Sequence, residues 1–381
     1  MSSALFPETI EPLVAHLKKH WQTPDLYLLN VFKTYDVVLL AEEHAIRHNL
    51  ELAHKMIPLL YQSGVYTFGM EFGASEDQAE LDQLVTGPTY NEDTARQIMF
   101  RYNTGWAYKE YLEIYRAAWA LNRSLPTSAR KFRILNLSYR YNWTDAPVVR
   151  TPENAQEIYH RGPVDAYRAE IVRKEVLGRG EKILILTGTP HAYTRYRIPL
   201  FDFNAPNFVR FEERNLGQLL YRYAPERVFC VLLHQPFDSL RDGSARKVYP
   251  ARGVLDQVMA RFPGQAVGFD LVDSPFGNLP DNSYYASGYQ DFHLAQLADG
   301  YIYVQPFAAF QGCTLDENFL TEVNWPEAQR QFPDPDWHRR PQTLSEYWQQ
   351  IRSYVDIQQR LAGLEPLPGC PEASGDAHFP G

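Results

Sequence analysis

Cysteine is scarce: the 381 residues contain three, Cys230, Cys313 and Cys370, far apart and with no CxxC pair. That excludes a disulfide framework and a cysteine zinc knot, and it suits a reducing compartment, so a cytoplasmic location is expected. No apolar run approaches the roughly 20 residues of a membrane span. Residues 1–11 carry neither the basic cluster nor the apolar stretch of a signal peptide. Positive charge is also in short supply, the net charge being −9, so neither nucleic acid nor an anionic membrane is an expected partner. HExxH, GxSxG, the Walker lysine loop and GxGxxG are all absent, which removes the signatures of zincins, serine hydrolases, P-loop NTPases and dinucleotide binders.

Aromatic residues, by contrast, are abundant at 14%, with 25 Tyr, 21 Phe and 7 Trp. Tyrosine combines an apolar body with a polar tip, so such a composition can line a pocket for a large, partly apolar ligand.

The stretch Asp36 to Phe72 organises the chain. Val37-Val38-Leu39-Leu40 reads as a buried strand, and it runs through Ala41 into Glu42-Glu43-His44. If the chain stays extended, Glu42 and His44 share one side. A helix follows from about Arg47 to Tyr61, with Leu50, Ala53, Ile57 and Leu60 as its apolar stripe. A second strand, Tyr66 to Met70, then delivers Glu71. Such a strand–helix–strand unit places its strands parallel with a right-handed crossover, and ligands sit beyond the carboxyl ends of parallel strands. Far downstream, strand Lys182 to Thr187 ends in Gly188-Thr189-Pro190-His191. The same order recurs: an apolar strand, a small residue, two positions, then histidine. The two histidines and Glu71 are therefore expected in one site.

Residues 5–34 form an amphipathic lead-in, with Ile10, Leu13, Val14 and Leu17 at helical spacing. Residues 75–122 are helical and insert between strands as a lid. Their Tyr102, Trp106, Tyr108 and Tyr111 are expected mainly to hold helices together. A third strand, Phe132 to Leu137, ends in the polar-aromatic loop Ser138 to Trp143. Helices are expected at Val164 to Leu177, Leu216 to Tyr223 and Val254 to Phe262. Further strands are expected at Val228 to Leu233, Ala266 to Leu271 and Gly300 to Gln305. The organisation is an α/β domain over 1–310 with the helical insertion at about 75–122. A C-terminal extension over 311–381 follows, with helices at Glu317 to Gln331 and Thr343 to Leu364 and a disordered tail from Pro366 to Gly381.

Two imidazoles and several carboxylates at strand ends suit a divalent metal, manganese, iron, cobalt or zinc, that polarises a carbonyl and activates water. The same residues also suit a metal-free site, in which a carboxylate-held histidine is general base on water. A non-enzymatic alternative is haem or another tetrapyrrole in the aromatic pocket, with Tyr139 and Tyr193 as candidate cofactor-binding residues.

Ala41-Glu42-Glu43-His44 resembles the Gly-Glu-x-His signature of the erythromycin esterase/ChaN-like group, which includes haem-binding ChaN proteins and, more remotely, the TIKI/TraB metalloproteases. Met70-Glu71-Phe72 follows at a similar distance, and Gly188-Thr189-Pro190-His191 is similar to the group's Gly-x-x-His. Tyr167-Arg168-Ala169-Glu170 resembles its arginine-centred segment, and Phe269 to Pro275 and Ala298 to Tyr301 resemble further segments. The resemblance spans about residues 36–305. It implies a functional set of Glu42, His44, Glu71 and His191, with Arg168 as orienter. Alanine stands at position 41 where the group has glycine, and the esterase branch spaces its first histidine one residue further on. The expected architecture is thus α/β, a central mostly parallel sheet flanked by helices with a helical lid. The expected activity is metal-dependent hydrolysis of a small or mid-sized organic substrate. His44, Glu71 and His191 would hold the ion, Glu42 would activate water, and Arg168 would steady a carboxylate or developing anion.

Overall fold

A computed structural model describes residues 7–143, 156–202, 205–241, 244–331, 341–364 and 367. The expected disordered tail lies outside these apart from one residue, as does Cys370. The lead-in forms two helices, Pro7–His20 and Pro24–Val31, with Pro24 opening the second. Strand β1 is Val37–Glu42, followed by the helix Arg47–Gln62 and β2, Thr67–Ala74. The insertion holds helices Gln78–Thr86, Glu92–Tyr102 and Lys109–Ser124. Then come β3, Arg133–Ser138, the helix Val164–Glu175 and β4, Ile183–Gly188. A hairpin of β5, Ile198–Asp202, and β6, Ala205–Glu212, precedes the helix Leu216–Tyr223 and β7, Val228–Leu233. A second hairpin pairs β8, Phe237–Arg241, with β9, Ser244–Val248. After the helix Val254–Met259, β10, Val267–Asp270, and β11, Gly300–Tyr303, complete the sheet.

Among the described residues the main sheet has seven strands in the order β10-β11-β7-β1-β4-β2-β3. Every neighbouring pair is parallel except β10 with β11. All six residues of β1 are buried, as an apolar run at the centre of a parallel sheet requires. Strand alternation divides the core in two. Val38 and Leu40 join the cluster under Arg47–Gln62 and Lys109–Ser124, whereas Val37, Leu39 and Ala41 join the cluster under Pro7–His20, Val164–Glu175 and Leu216–Tyr223. The result is a three-layer α/β/α architecture with the mostly parallel sheet in the middle.

The C-terminal extension shares the first of these cores, since Phe319, Leu320, Trp325, Tyr347 and Ile351 belong to it. Its helices are Trp325–Arg330, Leu344–Val355 and Ile357–Leu361. The expected helix from Glu317 is shorter: Asp316 accepts the Asn318 N–H at 3.1 Å and the Arg96 guanidinium at 2.7 Å, which holds the start of that segment in a turn. The two hairpins were not expected, because each is built from short stretches broken by Pro, Gly or charge.

Candidate functional site

The parallel strands deliver their carboxyl ends to one edge, and the site is assembled there. Glu42 ends β1, is 1% exposed, and takes two partners on Oε1. The Tyr111 hydroxyl donates to it at 2.9 Å, and His44 Nδ1 lies at 3.1 Å. Burial raises the Glu42 pKa, while the bonds from His44 and Tyr111 pull the other way. Between Glu42 and the helix Arg47–Gln62 the chain reverses through Ala45, which has φ of +62°. A left-handed alanine costs on the order of 1–3 kcal/mol, so the turn needs external support. It receives it: the Ala45 N–H donates to Tyr111 Oη at 3.0 Å, and the Cys313 N–H donates to the Ala45 carbonyl at 2.9 Å. Alanine at position 41 is accommodated because it sits within β1, paired with Thr187 and Leu232, and the turn falls four residues later.

His44 keeps 35% of its side chain exposed and packs edge-on against Trp106 at 4.9 Å and Phe72 at 5.5 Å. Burial alone would lower its pKa, but the hydrogen bond and charge of Glu42, joined by Glu71 and Glu43, carry it above the usual imidazole value. With Nδ1–H donated to Glu42, the neutral ring presents a free lone pair at Nε2.

The second histidine has the same construction. His191, in the single helical turn Thr189–Ala192 that follows β4, pairs Nδ1 with Asp165 Oδ2 at 2.7 Å and leaves 37% of its side chain exposed. Desolvation opposes ionisation of Asp165, but His191 and Arg168 hold its carboxyl down to about 2. The motif reading missed Asp165. Its signal was its place three residues before Arg168, one helical turn along the same face.

Glu71 stands between the two rings. His44 Nε2 lies 3.6 Å from its Oε1, and His191 Nε2 lies 3.7 Å from its Oε2. The Gly188 N–H donates to Oε1 at 2.8 Å, and the Thr187 hydroxyl donates to Oε2 at 2.8 Å. Arg168, 3% exposed, places Nη1 2.9 Å from Oε2 of Glu71 and 2.9 Å from Oδ1 of Asp165. Its Nε donates to Ser138 Oγ at 3.0 Å and its Nη2 to the Tyr102 hydroxyl at 3.3 Å. Burial alone would raise Glu71, but Arg168 and then the two histidines keep it below the ordinary carboxylate range.

The expected metal ligand set of His44, Glu71 and His191 does not fit a divalent ion. Both oxygens of Glu71 are already bonded, and Oε2 is paired with the Arg168 guanidinium. A second cation at that carboxylate would meet the guanidinium in a poorly screened interior. Among the described residues no group of three or more His, Cys, Asp or Glu is arranged to hold a metal.

Over this row lies a cavity of about 340 Å³, bounded by both histidines and by Trp106, Tyr102, Tyr141 and Tyr354. The connection between helices Glu92–Tyr102 and Lys109–Ser124 supplies much of the wall. Tyr102, Trp106 and Tyr108 therefore face the pocket as well as joining helices, and Tyr111 backs Glu42. Tyr139 and Tyr193 are placed otherwise. Tyr139 is buried and donates its hydroxyl to the Gly162 carbonyl at 2.5 Å. Tyr193 is buried against Tyr196 at 4.8 Å. Neither lines the cavity.

Gly188 is demanded by space. Its φ of −54° is open to any residue, but a Cβ there would lie 2.6 Å from His44 Nε2 and 3.3 Å from Glu71 Oε1. Gly188→Ala is expected to push the imidazole aside and weaken its bond to Glu42. The hydrogen-bonded Nδ1–H signal of His44 in nitrogen-15 NMR, beside a melting curve, would check this: the signal should broaden while the melting temperature stays nearly unchanged.

Comparison with known proteins agrees with this architecture. A sequence model of the family described as "Haem-binding uptake, Tiki superfamily, ChaN" matches residues 28–132. A succinoglycan biosynthesis protein is similar in structure at TM-score 0.52 and 10% identity, over 80% of this chain and 98% of that one. An erythromycin esterase mutant in its open conformation is similar at TM-score 0.51 and 11% identity, over 78% and 100%. ChaN of Campylobacter jejuni, with cofacial haem, reaches TM-score 0.35 at 14% identity over 55% and 85%, too slight a likeness to carry an argument. No curated protein matches in sequence. The fold is erythromycin esterase/ChaN-like, as the motifs implied.

Proposed function

We propose that this protein is a metal-independent hydrolase that cleaves an ester of a small or mid-sized organic substrate. One observation carries the reading. Two imidazoles, each held at Nδ1 by its own buried carboxylate, turn Nε2 towards the same carboxylate beneath one aromatic cavity. That arrangement suits a general base paired with a general acid.

In the reaction, a water O–H proton passes to His44 Nε2 as the water oxygen bonds to the ester carbonyl carbon. Glu42 steadies the imidazolium that results. The tetrahedral intermediate collapses with cleavage of the C–O bond, and the leaving oxygen takes a proton from His191 Nε2, whose ring Asp165 holds in place at Nδ1. Arg168, bound through Nη1 to both carboxylates, positions Glu71 and Asp165. The aromatic wall from Tyr102, Trp106 and Tyr141 offers ring faces and hydroxyls to the acyl or alcohol part. A cytoplasmic location is part of the same proposal. It is supported by Cys230 and Cys313 being free and buried, and no helix among the described residues is long and apolar enough to cross a membrane.

The test is a panel of p-nitrophenyl esters with chelator-treated, dialysed protein. Hydrolysis should persist at full rate without metal. Its pH profile should fall on the acid side as His44 Nε2 is protonated, with a midpoint above the ordinary imidazole value because of Glu42. Activity that vanishes with the chelator and returns with a divalent ion would overturn the reading.

A second reading, haem binding, is favoured by the family match over residues 28–132 and by the aromatic wall. The nitrogens available to iron would be those of His44 and His191. A Soret band that titrates with added haemin and is lost in His44→Ala would support it.

A further inference from the structure

The helices Leu344–Val355 and Ile357–Leu361 lie far beyond the segment matched by the family model, yet they reach the first histidine directly. Arg360 Nη1 donates to the backbone carbonyl of His44 at 2.9 Å and to that of Tyr354 at 3.0 Å. Its Nη2 pairs with the Glu43 carboxylate. Tyr354, near the end of the preceding helix, is part of the cavity wall.

We propose that Arg360 is a positioning residue for His44, so that the C-terminal helix pair forms a working part of the active site. The inference rests on the hydrolase reading for its consequence but on geometry for its content. The imidazole hangs from a turn whose next residue, Ala45, has positive φ. Three groups from separate parts of the chain hold that turn: Tyr111 at the Ala45 N–H, Cys313 at the Ala45 carbonyl, and Arg360 at the His44 carbonyl. The first and the last hold the two ends of one peptide, the plane between His44 and Ala45, with Arg360 as its anchor on the carbonyl side. Rotation of that plane would swing Nδ1 off Glu42 and Nε2 out of the cavity.

Charge adds a second effect. His44 is faced by Glu42 and Glu43 from its own segment and by Glu71 from β2. Tyr111 approaches from Lys109–Ser124, and His191 and Arg168 lie beyond Glu71. Arg360 neutralises Glu43, so Glu42 and Glu71 dominate the field at the ring. Removing Arg360 releases the Glu43 charge and raises the His44 pKa. Removing the Glu43 charge leaves Arg360 unopposed and lowers it.

The experiment is nitrogen-15 NMR of the histidine rings in the full chain, which needs no substrate and so remains informative if ester hydrolysis fails. The probes are Arg360→Met, Glu43→Gln and the double variant. The proposal expects His44 titrations displaced in opposite directions in the single variants and returned towards wild type in the double. It also expects the hydrogen-bonded Nδ1–H signal of His44 to broaden or vanish in both variants lacking Arg360. If esters are hydrolysed, those two variants should lose about ten- to a hundredfold in kcat with KM little changed. Arg360→Lys keeps the charge and the fold but reaches fewer acceptors. It should preserve the titration while weakening the Nδ1–H signal, which covers a failure of Arg360→Met to fold. Titrations that move while the Nδ1–H signal stays sharp would reduce Arg360 to a counter-ion and overturn positioning. Unchanged titration and signal, with only a lower melting temperature, would overturn the proposal entirely.

Discussion

His44→Ala is expected to lower kcat/KM for ester hydrolysis by about 10²–10⁴, the usual worth of one positioned acid–base group. The circular dichroism spectrum should stay that of the wild type. The imidazole is about one-third exposed, and what it loses on truncation is an edge contact with Trp106 and a bond to Glu42. The core beneath is built from β1 residues that precede it, Val38 and Leu40, both fully buried. Glu42→Gln should lose less. A glutamine still accepts from Nδ1–H and holds the tautomer, but it no longer stabilises the imidazolium. Melting curves of each variant beside its kcat would separate lost turnover from lost protein.

Arg168→Met is expected to cost about 3–5 kcal/mol of stability, as removal of one partner from a buried ion pair does. Glu71 and Asp165 would be left as buried carboxylates without their cation, both nearly inaccessible to water. The companion variant Arg168→Met with Glu71→Gln should recover part of the loss by removing the stranded charge. Urea unfolding of the single and double variants measures this. Acid acts on the same group of charges. Asp165 is held down to about 2 from an ordinary 3.8, so its contribution is complete above the unfolded value and disappears as pH falls through the folded one. That contribution is about 2 kcal/mol, and Glu71, also lowered, adds in the same direction. Stability should therefore fall between about pH 4 and pH 2, and Arg168→Met should flatten the fall.

Much of this architecture is written in short apolar strings. Val37 to Leu40, Ile183 to Leu186 and Val228 to Leu233 are too apolar to be anything but interior, and strands buried on both faces follow from them. Glu42, His44, Glu71 and His191 stand directly after such strings, so their convergence at one edge follows from parallel pairing alone. The chemistry between them was less legible. Whether a carboxylate faces a metal or a guanidinium depends on Arg168, which sits on a helix of low amphipathicity among Glu170, Arg173 and Lys174. There, buried and surface charges look alike. Asp165 was hidden for the same reason. Tyr139 and Tyr193 follow strand ends, as pocket residues do, but each turns inward onto a carbonyl or another ring. Arg360 lies 316 residues from His44, a contact that no local pattern encodes.

The central claim is that both histidine–carboxylate pairs serve one reaction. The most direct measurement is kcat/KM for one hydrolysed ester in His44→Ala, His191→Ala and the double variant, all shown to be folded. If the two rings are base and acid of a single step, either loss disables the step. The double variant should then be little worse than the poorer single one. Losses that multiply, so that the double variant falls by the product of the two single effects, would mean that the rings act independently and would contradict the account.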